Sequence, residues 1–331
     1  MVENEKINKQ AVNELPYYEY SRYLKEKYGE KVYKIPASLP VTCPNRDGTV
    51  GVGGCTYCGD IGAGYENKLA NQELKTQLLA HKEHIQKKYK ATKFIPYFQN
   101  YSNTFISADL LVSALEEAIF PEVVEIALST RPDCVDDEIV AVLDSFQKRH
   151  DIPIVVELGL QTVNYRTLNK INRGHGLGEF IDTVLKLERI GIDVCAHVIL
   201  NLPGDERIDI LECAKFVSAF PAIKYVKLHA LYIVKNTVMA REYEAGNLKL
   251  SSSLEYMERT ILFLESIRSD IVVQRIIGRA PAEHTLTANW DTGWWKIRDD
   301  IIDMMREKES YQGISFNYLN GSARRKKSFE K

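Results

Sequence analysis

Hydrophobic positions in this chain fall into short continuous runs separated by segments of three- and four-residue periodicity. Tyr17, Tyr20, Leu24 and Tyr28 predict a helix over residues 15–28, with Gly29 as its cap. Residues 31–37 read as a first strand. Beyond a glycine-rich loop, Leu69, Leu74, Leu78, Leu79, Ile85 and Tyr89 mark a long helix, and residues 94–98 a second strand with Pro96 uncomfortably at its centre. Ser107 is placed to cap a helix through Leu110, Leu111, Ala114, Leu115 and Ala118. Residues 123–128 are strand three, and Ile139, Val142, Leu143 and Phe146 mark the helix after it. Strand four over 154–160, helical segments to Ile190 with a capping Gly191, strand five over 192–200, a helix over 205–218 and strand six over 225–231 complete the series.

The strand runs are apolar throughout rather than alternating, so both faces should be buried. Strands and helices alternating in this way predict a parallel barrel. Six strands do not close the eight-stranded form. The expected fold class is α/β, a partial (β/α)6 TIM-like barrel with an N-terminal helix and a C-terminal α/β extension. From about residue 236 the rhythm stops. Ser252 and Glu255 form a capping-box pattern ahead of Met257, Ile261, Leu264 and Ile267, and residues 271–277 read as an additional strand. Trp290, Trp294 and Trp295 read as packing that docks this extension, with stacking on a nucleic-acid base as the alternative. The expected organisation is a helical extension over 1–30, the barrel over 31–235, the extension over 236–320 and a flexible basic tail over 321–331.

Composition narrows the class. The 331 residues, 45% hydrophobic and 27% charged, suit a large globular enzyme and exclude a disordered chain. A net charge of −2 carries no overall nucleic-acid signature, although residues 82–93 and the tail Arg324, Arg325, Lys326 and Lys327 are locally basic. There is no apolar run long enough to span a bilayer and no signal-peptide core in residues 1–10, so a cytoplasmic protein with no membrane association is expected. Disulfides are then not expected among the six cysteines. Cys134, Cys195 and Cys213, scattered through barrel elements, read as core or surface thiols. Oligomeric state leaves no mark on the sequence.

The other three cysteines lie together on the loop after the first strand. Eleven residues separate Cys43 from Cys55, two separate Cys55 from Cys58, and four glycines lie among them. Structural zinc takes four closed ligands, usually as two pairs, and Cys55/Cys58 has no second pair. His81 and His84 have a ligand-like spacing but lie among lysines on the expected helix, so zinc is the lesser alternative. Three thiolates suit a [4Fe–4S] cluster with one iron left open to chelate amino and carboxylate groups of a ligand.

Three cysteines on the first loop of a six-stranded partial barrel resemble the radical S-adenosylmethionine (SAM) enzymes. The eleven-then-two spacing departs from the commonest three-then-two. It is similar to the branch containing the Elongator catalytic subunit and the YtqA/YhcC-type bacterial proteins. The same branch is suggested by Lys34-Ile35-Pro36, Cys43-Pro44-Asn45-Arg46-Asp47-Gly48, Tyr97-Phe98-Gln99-Asn100-Tyr101-Ser102-Asn103-Thr104, Ser129-Thr130-Arg131-Pro132-Asp133, Glu157-Leu158-Gly159-Leu160-Gln161-Thr162, Arg173-Gly174-His175 and Val198-Ile199-Leu200-Asn201-Leu202-Pro203-Gly204.

This resemblance implies a cluster on Cys43, Cys55 and Cys58, with SAM as the second cofactor and a 5′-deoxyadenosyl radical as its product. It places Tyr57 near adenine. Gln99 and Asn100 stand where related enzymes bind the methionine amino group, although no acid occurs in residues 99–104. Ser129 and Gln161 end strands at the barrel mouth, Arg173 stands at the methionine carboxylate, and His197 on the nucleoside side. Glu157 reads either as a cofactor contact or as a buried acid paired with a base. His175, His229 and the tail Arg324, Arg325, Lys326 and Lys327 are candidate substrate contacts. The implied partners are a transfer RNA, modified with an aminomethyl-type side chain at C5 of its wobble uridine, and an electron donor such as flavodoxin or ferredoxin. A small-metabolite or porphyrin-type substrate is the alternative within this chemistry, and a metal-bearing RNA-binding module is the alternative outside it.

Overall fold

The computed structural model describes residues 15–59, 67, 69–280 and 282–327. Helix α1 (Tyr20–Tyr28) precedes β1 (Val32–Ala37), followed by α2 (Leu74–Tyr89), β2 (Lys93–Phe98), α3 (Ala108–Glu117), β3 (Ile126–Thr130), α4 (Asp137–His150) and β4 (Ile154–Gln161). Then come α5 (Tyr165–Lys170), α6 (Leu177–Arg189), β5 (Asp193–Ile199), α7 (Arg207–Ala219) and β6 (Ile223–His229). The remainder contains β7 (Ile233–Val234), α8 (Val238–Glu244), α9 (Ser253–Ser266), β8 (Val272–Arg275), β9 (Thr285–Thr287), α10 (Trp294–Glu307) and α11 (Ser322–Lys326).

The main sheet is parallel, in the order β1-β2-β3-β4-β5-β6-β8, and forms an open partial barrel. It has seven strands where the hydrophobic rhythm predicts six. The extra strand is the one expected in the C-terminal extension: Val272 pairs with Tyr225 and Val273 with Val226, which lengthens the sheet at its β6 edge. Strands β7 and β9 form a separate antiparallel pair.

Helix α1 starts at Tyr20 rather than at residue 15 because the preceding backbone is bound elsewhere. Tyr18 accepts a hydrogen bond from the Val273 amide and donates its own amide to Gln312. Its C-terminal cap is as expected, with Gly29 at φ 69° donating to the Lys25 carbonyl. Tyr18, Tyr20 and Tyr23 pack against Val155, Cys195, Tyr225 and Val272 at the N-terminal end of the strands. The helix therefore plugs the bottom of the barrel, at the end opposite the C-terminal mouth.

Pro96 is tolerated for a local reason. The backbone of Phe94 bonds toward the β3 side, so two residues on the missing N–H of Pro96 falls on that side too. There the ladder is interrupted between the Phe94–Val123 bridge and the Tyr97–Ala127 pair. Ser107 stands at the N-cap of α3 without making a side-chain cap bond, whereas Ser252 caps α9 by accepting from the Glu255 amide.

Both sheet faces are buried, as the apolar runs predict. The outward residues, Ile35, Phe98, Leu128, Val156, Leu158, Val194 and Val226 among them, join the helices in one core. The inward positions toward the mouth are polar instead: Lys34, Ser129, Glu157, His197 and Lys227. Trp290 and Trp294 pack on the core, with the Trp290 indole N–H on the Ser251 carbonyl, while Trp295 is exposed. No helix among the described residues is long and apolar enough to cross a membrane.

Candidate active site

Cys43, Cys55 and Cys58 line one cavity of about 250 Å³ at the C-terminal ends of the strands. A tight turn, closed by the Cys58 amide on the Cys55 carbonyl at 2.9 Å, brings the last two thiols together. Gly54 enters that turn at φ 82°, where a Cβ would also press on the Arg46 side chain at 3.0 Å. The loop is clamped to the segment after α5. Thr56 N–H donates to the Ile171 carbonyl (2.9 Å), Asn45 Nδ2 to the Asn172 carbonyl (2.6 Å), and Asn172 Nδ2 to the Gly54 carbonyl (2.9 Å).

That clamp sets Arg173 against the thiols. Its Nη1 lies 3.6 Å from Cys55 Sγ and its Nη2 donates to the Gly159 carbonyl at 2.9 Å, while Asn45 Nδ2 lies 3.8 Å from the same sulfur. Arg46 ties the far end of the loop, donating to the carbonyls of Cys58 and Gly59 at 2.6 Å each. The donor set fits a cluster with one open iron. Three soft thiols converge, a guanidinium and an amide face one sulfur, and no fourth thiol is among the described residues lining the cavity. It also fits an amino-acid ligand beside that iron, because Arg173 Nε and Gln99 Nε2 are buried without partners and a guanidinium edge suits a carboxylate.

A second polar group lies deeper, between the strands. Glu157, 1% exposed, accepts from Lys34, from Lys227 (2.9 Å) and from His197 Nε2 (2.7 Å). Burial pushes its carboxyl up, but Lys227 and Lys34 outweigh burial and hold it well below the ordinary carboxylate range. Burial pulls His197 down to about 4, so the ring is neutral and donates through Nε2. Tyr97 joins the group through Ser129 (2.8 Å) and Lys227 (2.9 Å). Glu157, Cys195 and His197 offer three metal donors within 4.8 Å of one another. Two ammonium groups already occupy the carboxylate, and burial keeps the Cys195 thiol protonated, so this trio is an ion-pair site rather than a metal site.

The residues singled out from the sequence divide cleanly. Tyr57, Gln99, Ser129, Glu157, Gln161, Arg173, His197 and His229 all line the cavity with the three cysteines. Gln161 does so at φ 70°, where β4 bulges against β5. Asn100 and His175 are not among the residues lining the cavity; the Asn100 carbonyl accepts from Asn103, and His175 Nδ1–H donates to the Gly176 carbonyl. Arg324, Arg325, Lys326 and Lys327 fall on and just after the short helix α11 and do not line the cavity, with Arg325 bound to the carbonyls of Asn317 and Leu319. Asn45, Arg46, Lys34, Tyr97, Lys227 and Arg275 also belong to the site or its surroundings without standing out as site residues in the sequence. The first four lie inside motifs already noted, and Lys227 is a charge in an apolar strand. Arg275 carried no signal.

A family model described as the Radical SAM superfamily matches residues 43–217. The chain belongs to the radical SAM superfamily. A model of the Radical_SAM C-terminal domain matches residues 223–307, which includes the seventh strand. The chain is 36% identical to YtqA of Bacillus subtilis over 92% of this chain and 94% of that protein. It is 33% identical to YhcC of Escherichia coli K12, over 82% and 86% respectively. Among solved structures, an archaeal Elp3 from Methanocaldococcus infernus aligns with a TM-score of 0.63 at 16% identity, covering 85% of this chain and 64% of that one. At that identity the likeness is one of fold. The cofactors of this radical SAM enzyme are a [4Fe–4S] cluster and SAM.

The buried histidines make stability pH-dependent. Burial, aided by Arg173, pulls His175 down to about 2, and burial with Arg275 pulls His229 well below its ordinary value. With His197, these rings stay neutral when folded but protonate on unfolding below about pH 6.5. Unfolding therefore takes up protons, and the stability present above that pH is lost as pH falls. Each proton contributes about 1.4 kcal/mol per pH unit. Burial pushes Glu125, Asp193 and Asp205 up, which offsets part of the slope. The urea midpoint should fall between pH 7.5 and 5.5; an unchanged or rising midpoint contradicts this account.

Proposed function

We propose that the protein is a radical SAM enzyme that builds or remodels an aminomethyl-type side chain at C5 of the wobble uridine in transfer RNA. Cys43, Cys55 and Cys58 hold the cluster, and the free Nε edge of Arg173 takes the methionine carboxylate. Gln99 and Ser102, which line the cavity, serve the amino group in place of an acid. Tyr57 and His197 flank the nucleoside, with His197 Nδ1 left as an acceptor because Nε2–H is engaged by Glu157. Bound together, the two cofactors supply one-electron cleavage of the sulfonium to a 5′-deoxyadenosyl radical. The electron comes from a flavodoxin- or ferredoxin-type donor. The protein's own share is to orient the methionine end, fix the neutral tautomer of His197 and keep the chamber closed from below with the tyrosines of α1.

The observation that carries the chemistry is the bridge made by Arg173 between Cys55 and Gly159. Its test is Gly159→Ala. A Cβ there would meet Arg173 Nη2 at 2.5 Å and Gln161 Nε2 at 2.7 Å. Affinity for SAM in equilibrium dialysis should fall about 10- to 100-fold, with iron content unchanged because the thiols stay in place. Unaltered SAM binding would remove the assigned role of Arg173.

What supports the transfer RNA reading is the eleven-then-two cysteine spacing with its surrounding motifs, together with the likeness to YtqA and YhcC over most of the chain. Fold-level likeness to Elp3 is consistent with it. Deleting the gene should change the wobble-uridine nucleosides seen by mass spectrometry, with restoration by the wild-type gene but not by Cys55→Ala. A wobble profile identical to the parent's under every growth condition tested would overturn the reading.

A further inference from the structure

We infer that the seventh strand adds an oxyanion-binding subsite to the barrel, built on Arg275 and His229, for a carboxylate or phosphate on the group that enters the chamber. The inference rests on the cavity being the reaction chamber and not on the substrate being a transfer RNA.

Charge points to it first. Lys34, Lys227 and Arg275 project into the same interior, and among the described residues the one carboxylate lining it, Glu157, is shared by the two lysines. Arg275 has no acidic partner among the described residues. Its Nη2 donates to His229 Nδ1 at 2.9 Å, and its Nε is buried without a partner. An uncompensated cation in a partly desolvated wall is costly unless a ligand completes it.

Hydrogen bonding points the same way. Because His229 accepts at Nδ1, its proton is on Nε2, and that atom too is buried without a partner. Two donors, Arg275 Nε–H and His229 Nε2–H, are thus unfilled on residues that both line the cavity. Gly278 packs closely on the guanidinium, where an added Cβ would stand 3.0 Å from Arg275 Cζ. A planar fork packed against backbone, with a neighbouring N–H, is suited to an oxyanion.

The methionine carboxylate of SAM does not fill this place. Arg173 is held at β4 by the Gly159 carbonyl, whereas Arg275 stands on β8, three strands further around the sheet. The subsite therefore faces the second molecule in the chamber.

The test uses cluster-loaded protein with SAM present and no reductant, so that the Arg173 site is filled. Acetate and inorganic phosphate are titrated separately, at constant ionic strength, while histidine ring signals are followed by NMR, with the His229 signal assigned by His229→Asn. A saturable shift of the His229 signal is expected with one of the two anions, which identifies the class. Arg275→Gln should weaken that titration at least tenfold with SAM binding and iron content unchanged. Should Arg275→Gln not fold, Arg275→Lys, which keeps the charge but loses the fork, should weaken it several-fold. No saturable shift with either anion, or an unchanged titration in the variant that folds, overturns the inference. A saturable shift in a protein whose deletion leaves wobble uridines unaltered would keep the subsite and remove only the transfer RNA reading.

Discussion

Anaerobic reconstitution of Cys55→Ala or Cys58→Ala protein should yield no stable cluster, and 5′-deoxyadenosine formation from SAM under dithionite should fall to background. The two thiols share one tight turn, so losing either leaves a pair of ligands that cannot hold the cluster in place. Cys213→Ser is the matched control, since this thiol is buried on α7, does not line the cavity and should not alter iron content. Residues that act through Cys55 should give intermediate effects. Asn45→Leu removes an N–H facing its sulfur and one tie to the Asn172 carbonyl, and should cost about 10- to 100-fold in cluster retention or activity. Uptake of zinc without iron by the wild-type protein would overturn the assignment.

Glu157→Leu should be the most destabilising single change in the barrel. The carboxylate is fully enclosed, and its removal leaves the ammonium groups of Lys34 and Lys227 facing each other with His197 unsupported. Breaking a buried ion pair from one side typically costs about 3–5 kcal/mol. Urea unfolding should show a loss of that order. Adding Lys227→Met to Glu157→Leu removes one of the stranded charges and should recover part of it. The wild-type contribution of Glu157 is present above the ordinary carboxylate range and is lost as pH falls through its lowered value, so the variant and wild type should converge in strong acid. A Glu157→Leu protein as stable as wild type at neutral pH would mean that the lysines are compensated elsewhere.

Much of this was legible along the chain because it is encoded locally. Three- and four-residue periodicity placed the helices, and a glycine after the last apolar position marked where α1 and α6 stop. The spacing of Cys43, Cys55 and Cys58 was enough to argue a three-ligand centre, because two residues between thiols dictate a single turn. Strand edges moved where a neighbour decided pairing: strand three extends to Thr130 because Ser129 and Thr130 pair with Glu157 and Leu158. Asn100 and His175 sit beside site residues in sequence but are not among the residues lining the cavity, because adjacency along a loop does not fix side-chain direction.

By itself, then, the sequence determined the βα rhythm, the open parallel barrel and the three-thiol loop, all of which follow from short-range pattern and spacing. Tertiary structure alone decided that the strand at residues 272–275 completes the sheet, and that Arg275 meets His229 from forty-six positions away. It likewise decided that Glu157 joins Lys34 and Lys227, which lie on strands at opposite sides of it. Such long-range pairs depend on register and on the curl of the sheet, which bring distant inward-facing positions to one height in the barrel, and neither is written in any local stretch of residues.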